Sequence, residues 1–383
     1  MAYFWVFLRM EFIVGLYSMV ARCRGRVAAA ARVFECVSRV VRVSYISAHR
    51  ACKRGGGAAA TPAVDTVGCG VHQKGVERRR TRSGGRVSEE RGDQVARRTG
   101  RLWLGCAVWA YRGWVGEFYP ERTTQKEMLG RYVERLTAVE GNTTFYAIPS
   151  KETVSAWADA MPEGFKFCAK LNKEITHREH LSHGLHEARI FGKTMMAFGD
   201  RLGPLLVQFP PRLGPARLDE LEAFLRWWPR GRLPIAVELR HEAWWREPVA
   251  SRVLDLFGEL GVGRVILDTR PIYDGDDDPQ ASSARPKPKV PMVPYVTASF
   301  ALVRFIGHPR PERARPYLEE WAKRVHRWLE EGKDVYFFAH CPMEERSPHY
   351  ARTLYRLLEE RGAPIGPLPW DTARDDERQG ALF

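Results

Sequence analysis

The 383-residue chain holds no two histidines at HxH or HExxH spacing and no two cysteines at CxxC spacing, so its motifs write no zinc site. It also lacks an uninterrupted apolar run long enough to span a bilayer. The nearest approach, Tyr3 to Val20, is broken by Arg9 and Glu11, and no small-residue cleavage site follows it, which argues against both a signal peptide and a membrane anchor. Cysteine is scarce beyond the first hundred residues, where only Cys106, Cys168 and Cys341 occur. They read as buried thiols of a cytoplasmic protein.

Acidic residues are in deficit, 46 against 60 Lys and Arg for a net charge of +14. The deficit is local: residues 1–100 carry 19 basic and 7 acidic side chains, and the rest of the chain carries 41 and 39. A basic balance points to nucleic acid only where it lies on a folded surface. Residues 50–101 are rich in Gly, Arg and Ala without periodicity, so they bury too little to offset their ordering entropy and are expected to be disordered. A start assigned too far upstream, with translation from near Val87 or Val95, accounts for the leader equally well. The expected organisation is a basic leader over 1–100, one domain over 101–362 and a flexible tail over 363–383.

What is present from Leu102 onward is regular. Eight short apolar runs alternate with amphipathic stretches: LWLGCAVW from Leu102, TAVEGNTTFY from Thr137, FKFCAKL from Phe165, PLLVQF from Pro204, LPIAVELR from Leu233, GRVILDT from Gly263, FALVRFIGH from Phe300 and DVYFFAHC from Asp334. Helices are predicted over Thr124–Leu136, Lys151–Ala160, Leu218–Trp228, Pro248–Leu260, Pro316–Glu331 and Ser347–Arg361. Such alternation predicts an α/β fold, a TIM-type (β/α)8 barrel of about 250 residues. Cys106 and Cys341 then fall on neighbouring strands, and two separate thiols are preferred over a disulfide. Between Thr269 and Phe300 the chain is too rich in Pro and Asp for a helix, so a long mobile loop, a candidate lid, is expected there. Asp274 and Asp276 to Asp278 within it read as a solvated acidic turn, because the closing Glu of a calcium loop is missing.

Strand side chains alternate with period two, which places Glu140, Asn142, Thr144 and Tyr146 on one face. Lys170, Gln208, Glu238, Arg240, Asp268, Arg304 and His308 fall at the ends of later strands, where barrel active sites are built. Buried charges need partners or a ligand, so these residues form either a site or a lumenal salt-bridge network of Glu140 or Glu238 with Arg240 or Lys170. A divalent metal on Glu140, Glu238, Asp268 and one histidine stays open. Trp109, Tyr111, Trp114, Tyr119, Trp244 and Trp245 flank the same end, where rings stack on sugars or bases or simply pack the loops.

The runs GCAVWAYRGWVGEFYP, VEGNTTFYAIPSKETVSAWA, FKFCAKLNKEITH, LGPLLVQFPP and AVELRHEAWW resemble, in order, the YecE-like barrels, a family of unknown function, over residues 102–361. The resemblance implies a TIM-type barrel and puts Trp109, Tyr111, Glu140, Asn142, Thr144, Tyr146, Lys170, His177, Gln208, Glu238, Arg240, His241 and Trp244 at motif positions. It implies no reaction. Two departures stand out: Ala107 and Val108 replace a usual Ser-Gly, and Ala339, His340 and Cys341 replace an Asn-rich strand end, which leaves His340 to take over any contact those amides made. Barrels of this shape resemble at fold level both sugar isomerases and metal-dependent endonucleases, an analogy that carries little weight because one fold hosts many chemistries.

The chain ends in Gln379, Gly380, Ala381, Leu382 and Phe383, a QxxLF pattern similar to peptides that dock on DNA sliding clamps. Tethering by such a tail would supply the local concentration at DNA that a nearly neutral barrel does not. Two expectations follow. The first is an enzyme, a hydrolase or a sugar-phosphate enzyme, acting on a phosphate- or sugar-bearing substrate, with DNA metabolism as its candidate setting. In it Glu140, Glu238, Lys170 and Asp268 are catalytic, while Arg240 and Arg304 stabilise anionic charge and Asn142, Tyr146 and Gln208 orient the ligand. The second is a non-catalytic nucleic-acid or nucleotide binding module recruited by the tail through Gln379, Leu382 and Phe383.

Overall fold

The computed structural model describes residues 98–277, 279–281 and 286–373. The leader and the QGALF tail, with the readings attached to them, lie outside the described residues.

Each of the eight apolar runs contains a parallel strand: β1 (Leu102–Cys106), β2 (Ala138–Gly141), β3 (Lys166–Ala169), β4 (Leu205–Gln208), β5 (Ile235–Glu238), β6 (Gly263–Asp268), β7 (Phe300–Ile306) and β8 (Asp334–His340). They hydrogen-bond in the order β3-β2-β1-β8-β7-β6-β5-β4. The seam between β3 and β4 is bridged by Gly203 N to Phe167 O at 3.0 Å and Leu171 N to Leu206 O at 2.8 Å, so the sheet is a nearly closed (β/α)8 barrel. Gly105 is where β1 and β2 come closest: a Cβ there would stand 1.9 Å from the Ala138 carbonyl oxygen.

The helices wrapping the barrel are α1 (Met128–Val133), α2 (Lys151–Asp159), α3 (Lys173–Thr176), α4 (Leu185–Met195), α5 (Leu218–Trp227), α6 (Val249–Leu260), α7 (Arg270–Tyr273), α8 (Pro311–Glu330) and α9 (Ser347–Glu360). Local sequence explains several ends. Ser150 caps α2 by accepting from Thr153 N at 3.2 Å, Pro311 opens α8 at a position that needs no amide hydrogen, and Gly261 closes α6 with φ 61°, a conformation glycine adopts without strain. The predicted helix over Thr124–Leu136 is realised only as α1.

Two apolar layers result. The outer one lies between strands and helices, around Phe167, Phe198, Phe257, Trp321 and Phe337. The inner one fills the lumen with Ala138, Cys168, Leu206, Ala236, Val265, Leu302 and Phe338. Two residues further along the same strand faces stand Glu140, Lys170, Gln208, Glu238, Leu267, Arg304 and His340. A mainly polar layer therefore sits directly on the apolar plug, at the carboxyl end of the barrel. Cys106, Cys168 and Cys341 are free and buried.

Two expectations change. The stretch 363–373, expected to be a flexible tail, packs on the barrel: Leu368 is buried, Trp370 meets Phe118 edge-on at 4.9 Å, and Arg356 Nη2 holds Asp371 at 2.6 Å. The loop after β6 is fastened rather than free over its described residues. Thr269 donates to Pro288 O at 3.3 Å, Gln280 Oε1 accepts from Lys287 N at 2.6 Å, and Asp277 binds Arg313 and His308, which makes the acidic turn an anchor to α8.

Candidate functional site

Arg304, at the centre of the polar layer, is the hub of the site. Its Nε and Nη2 donate to the two oxygens of Glu140 at 2.8 and 2.9 Å, and its Nη1 donates to Glu238 Oε2. Arg240 Nε takes the other Glu238 oxygen at 2.6 Å. Asn142 Nδ2 donates to Glu140 Oε1 at 2.9 Å, and His340 Nε2 lies 3.2 Å from Glu140 Oε2. Bidentate guanidinium pairing of this kind is the strongest geometry available to a buried carboxylate.

The charge states follow from these contacts. Burial alone would raise both glutamates, but Arg304, aided by His340 at Glu140 and by Arg240 at Glu238, holds both well below the usual carboxylate range. The same network pushes the Arg304 guanidinium up. Burial lowers His340 to about 4, against the pull of Glu140, so at neutral pH its imidazole is uncharged and its Nε2–H faces the carboxylate.

Lys170 behaves differently. It is 7 % exposed, its Nζ lies 4.3 Å from the Phe145 ring centroid, and among the described residues it has no ion-pair partner. Burial first, then the Arg304 charge, lowers its pKa to about 7. A second lysine, Lys287, reaches the same field from the loop after β6, where burial and Arg304 bring it to about 8. Glu344, just past β8, is raised to about 7 by burial, and its Oε1 is buried without a hydrogen-bond partner. The Oε1 of Gln208, on the polar layer, is likewise buried and unsatisfied.

The layer unites Glu140, Asn142, Lys170, Gln208, Glu238, Arg240 and Arg304 as the sequence predicts. It leaves out others. Asp268 has the wrong strand parity: it points away from the lumen and is bound by Arg270 at 2.9 Å and by Trp321 Nε1 at 2.7 Å, so it is no part of the lumenal layer. The predicted period-two face also stops early, because β2 ends at Gly141 and Asn142–Phe145 form a 3-10 turn. Tyr146 is consequently 49 % exposed, while Thr144 is buried and ties Gly141 O to Lys170 O.

Trp109 packs against Trp157 and Phe167, and Trp244 donates to Leu213 O at 2.6 Å; both are core residues. His241 caps its own turn and His308 binds Asp277 at 3.2 Å. His177 stands edge-on to Phe145, and burial with the Arg212 charge lowers it to about 4. Tyr111 donates to Glu345 at 2.5 Å on the loop beyond β8. Sequence reasoning missed Lys287, which nothing in the sequence signals, and Glu344, whose one signal is that it follows the carboxyl end of β8.

A divalent metal does not fit this arrangement. Among the described residues no group of three or more His, Cys, Asp or Glu side chains is placed to hold one, and Arg304 already occupies the position between Glu140 and Glu238 that a cation would take. No helix among the described residues is long and apolar enough to cross a membrane.

The fold agrees with known proteins. YecE of Escherichia coli K12 is 30 % identical over 271 residues, covering 70 % of this chain and 96 % of that protein. YunF of Bacillus subtilis 168 is 24 % identical, covering 70 % and 99 %. Crystal structures of DUF72 family proteins from Enterococcus faecalis V583 and Thermotoga maritima MSB8 superpose with a TM-score of 0.53 each, at 22 % and 21 % identity, covering 67 % and 68 % of this chain and 95 % and 99 % of theirs. The family described as "Protein of unknown function DUF72" matches residues 103–373, and the chain belongs to it.

Proposed function

We propose that the barrel is an enzyme acting on a small phosphate-bearing substrate, such as a sugar phosphate, bound over the polar layer. The observation that carries this reading is the surplus of positive charge at the mouth: Arg304 and Arg240 are matched by Glu140 and Glu238, whereas Lys170 and Lys287 have no ion-pair partner among the described residues. An anion supplies the missing charge, and binding it raises both lysines toward their ordinary range. Lys170, which the bound anion keeps protonated, then serves as general acid. Arg240 and Arg304 stabilise charge that develops on the substrate, and Asn142, Gln208 and Glu344 orient it. Glu140 and Glu238, held ionised by the hub, keep the cations in place rather than donating protons.

A thermal-shift panel on the full chain tests this reading. At saturations near a hundred times Kd, phosphorylated sugars or nucleotides should raise Tm by roughly 5 °C, their unphosphorylated counterparts should do little, and Lys170→Met should remove the response. Equal shifts for both sets, or none, would sink the reading.

A link to DNA metabolism rests on the QxxLF pattern alone and is separable from the barrel's chemistry. In this part of the proposal Gln379, Leu382 and Phe383 dock on a sliding clamp. Deleting residues 379–383 should abolish clamp association in a surface-resonance assay, and unchanged association would end the idea.

A further inference from the structure

The outward faces of β5 and β6 carry a second feature unrelated to the lumen. Arg264 alternates with lumen-facing Val265 and so points into the layer between strands and helices. It is 9 % exposed, its guanidinium stacks on Trp245 at 4.1 Å from the ring centroid, and it makes no ion pair or side-chain hydrogen bond with any described residue. Burial is the sole cause acting on its charge, lowering its pKa to about 10; no neighbouring carboxylate opposes that. At neutral pH the guanidinium is still charged, and an uncompensated buried cation costs several kcal/mol.

Beside it lies a partly enclosed cavity of about 180 Å³, walled by Leu239 and by Val253 and Phe257 of α6, with Trp245 and Arg264 on the lining. Trp245 Nε1 is also buried without an acceptor. The indole nitrogen is closed off from the void, so the charged donor at its edge is the Arg264 guanidinium. The lining carboxylate, Glu247, is exposed and accepts instead from Ser251 N at 3.3 Å. An engineered apolar cavity of about 150 Å³ holds benzene, so this one accommodates a ring of that size.

We propose that the cavity between β5, β6 and α6 binds a small apolar carboxylate of about benzoate size, its carboxylate held by Arg264 and its apolar body packed among Leu239, Val253 and Phe257. The site is separate from the phosphate site over the polar layer and does not depend on it. It accounts for the unpaired cation and the void together, where a structural role for Arg264 would leave both unexplained.

Isothermal titration of the full chain with benzoate and with its neutral analogue benzyl alcohol tests the proposal. Benzoate should bind one to one and at least about tenfold more tightly, because a hydrogen-bonded charge is at stake. Arg264→Met should erase that preference. Ala250→Phe, which fills the cavity from α6 and leaves the guanidinium intact, should block both probes. Lys170→Met should leave benzoate binding unchanged, which separates this cavity from the barrel mouth. Should Arg264→Met not fold, the wild-type comparison and Ala250→Phe still decide. Equal affinities, no binding, or benzoate binding that survives Ala250→Phe would overturn the proposal.

Discussion

Replacing Arg304 with Met is expected to be among the most destabilising substitutions in the barrel, lowering Tm by roughly 10 °C or more. The change strands Glu140 and leaves Glu238 with Arg240 alone, both carboxylates being buried, and removing one partner from a buried ion pair costs about 3–5 kcal/mol, at about 2–4 °C of Tm per kcal/mol for a domain of this size. Adding Glu140→Gln and Glu238→Gln to the same variant should return most of the loss, since a buried triad replaced whole costs far less than one broken.

The pH dependence carries the sign of the effect. In the native chain the two carboxyls titrate below their unfolded value, so their stabilisation is present above the unfolded pKa near ~4.3 and is lost as pH falls through the depressed folded values. Without Arg304, burial outweighs the His340 contact and raises Glu140, whereas Arg240 still offsets burial at Glu238. The variant then loses stability as pH rises through the window from the unfolded value to the raised one, so native and variant curves converge toward acid. Denaturant titrations of both proteins from pH 4 to 8 check this, and a constant gap across that range would contradict it.

Much of the barrel was legible because its strands are short apolar runs separated by amphipathic helices, a pattern that survives without any tertiary information. The polar layer was legible for the same reason: Glu140, Glu238 and Arg304 are charges inside runs that otherwise read as buried. Asp268 looked equivalent because it also ends a strand, yet one residue of parity turns it toward Trp321. Tyr146 was carried by a periodicity that the chain abandons at Gly141, where a 3-10 turn replaces extended backbone. Lys287 was invisible because no strand or helix presents it; it arrives from an aperiodic Pro-rich loop. Of the pairing within the layer, Glu238 with Arg240 was within reach; the part of Arg304 was not, since residues 140, 238 and 304 meet only when the sheet closes, and it is that pairing that leaves Lys170 without a carboxylate of its own.

Lys170→Met is accordingly expected to improve the fold while removing the function. Moving the lysine from its ordinary value of 10.5 to about 7 reflects several kcal/mol of charge burial at about 1.36 kcal/mol per unit. Met keeps the apolar stem and gives up a cation–ring contact with Phe145 worth only about 1 kcal/mol. The net expectation at pH 7 is a Tm roughly 5 °C above the native protein. In the native chain the unfolded state holds the Lys170 proton between pH 7 and 10.5 and the folded state does not, so native stability climbs with pH across that window. The Met variant lacks that climb, and the two melting curves should meet near pH 10.5. Thermal melts at pH 7 and pH 10, read beside the phosphate-ligand response, distinguish the alternatives. A Met variant that is less stable at pH 7 would make Lys170 a structural residue, whereas one that is more stable yet unresponsive to ligand identifies a charge kept at the barrel mouth at the expense of stability.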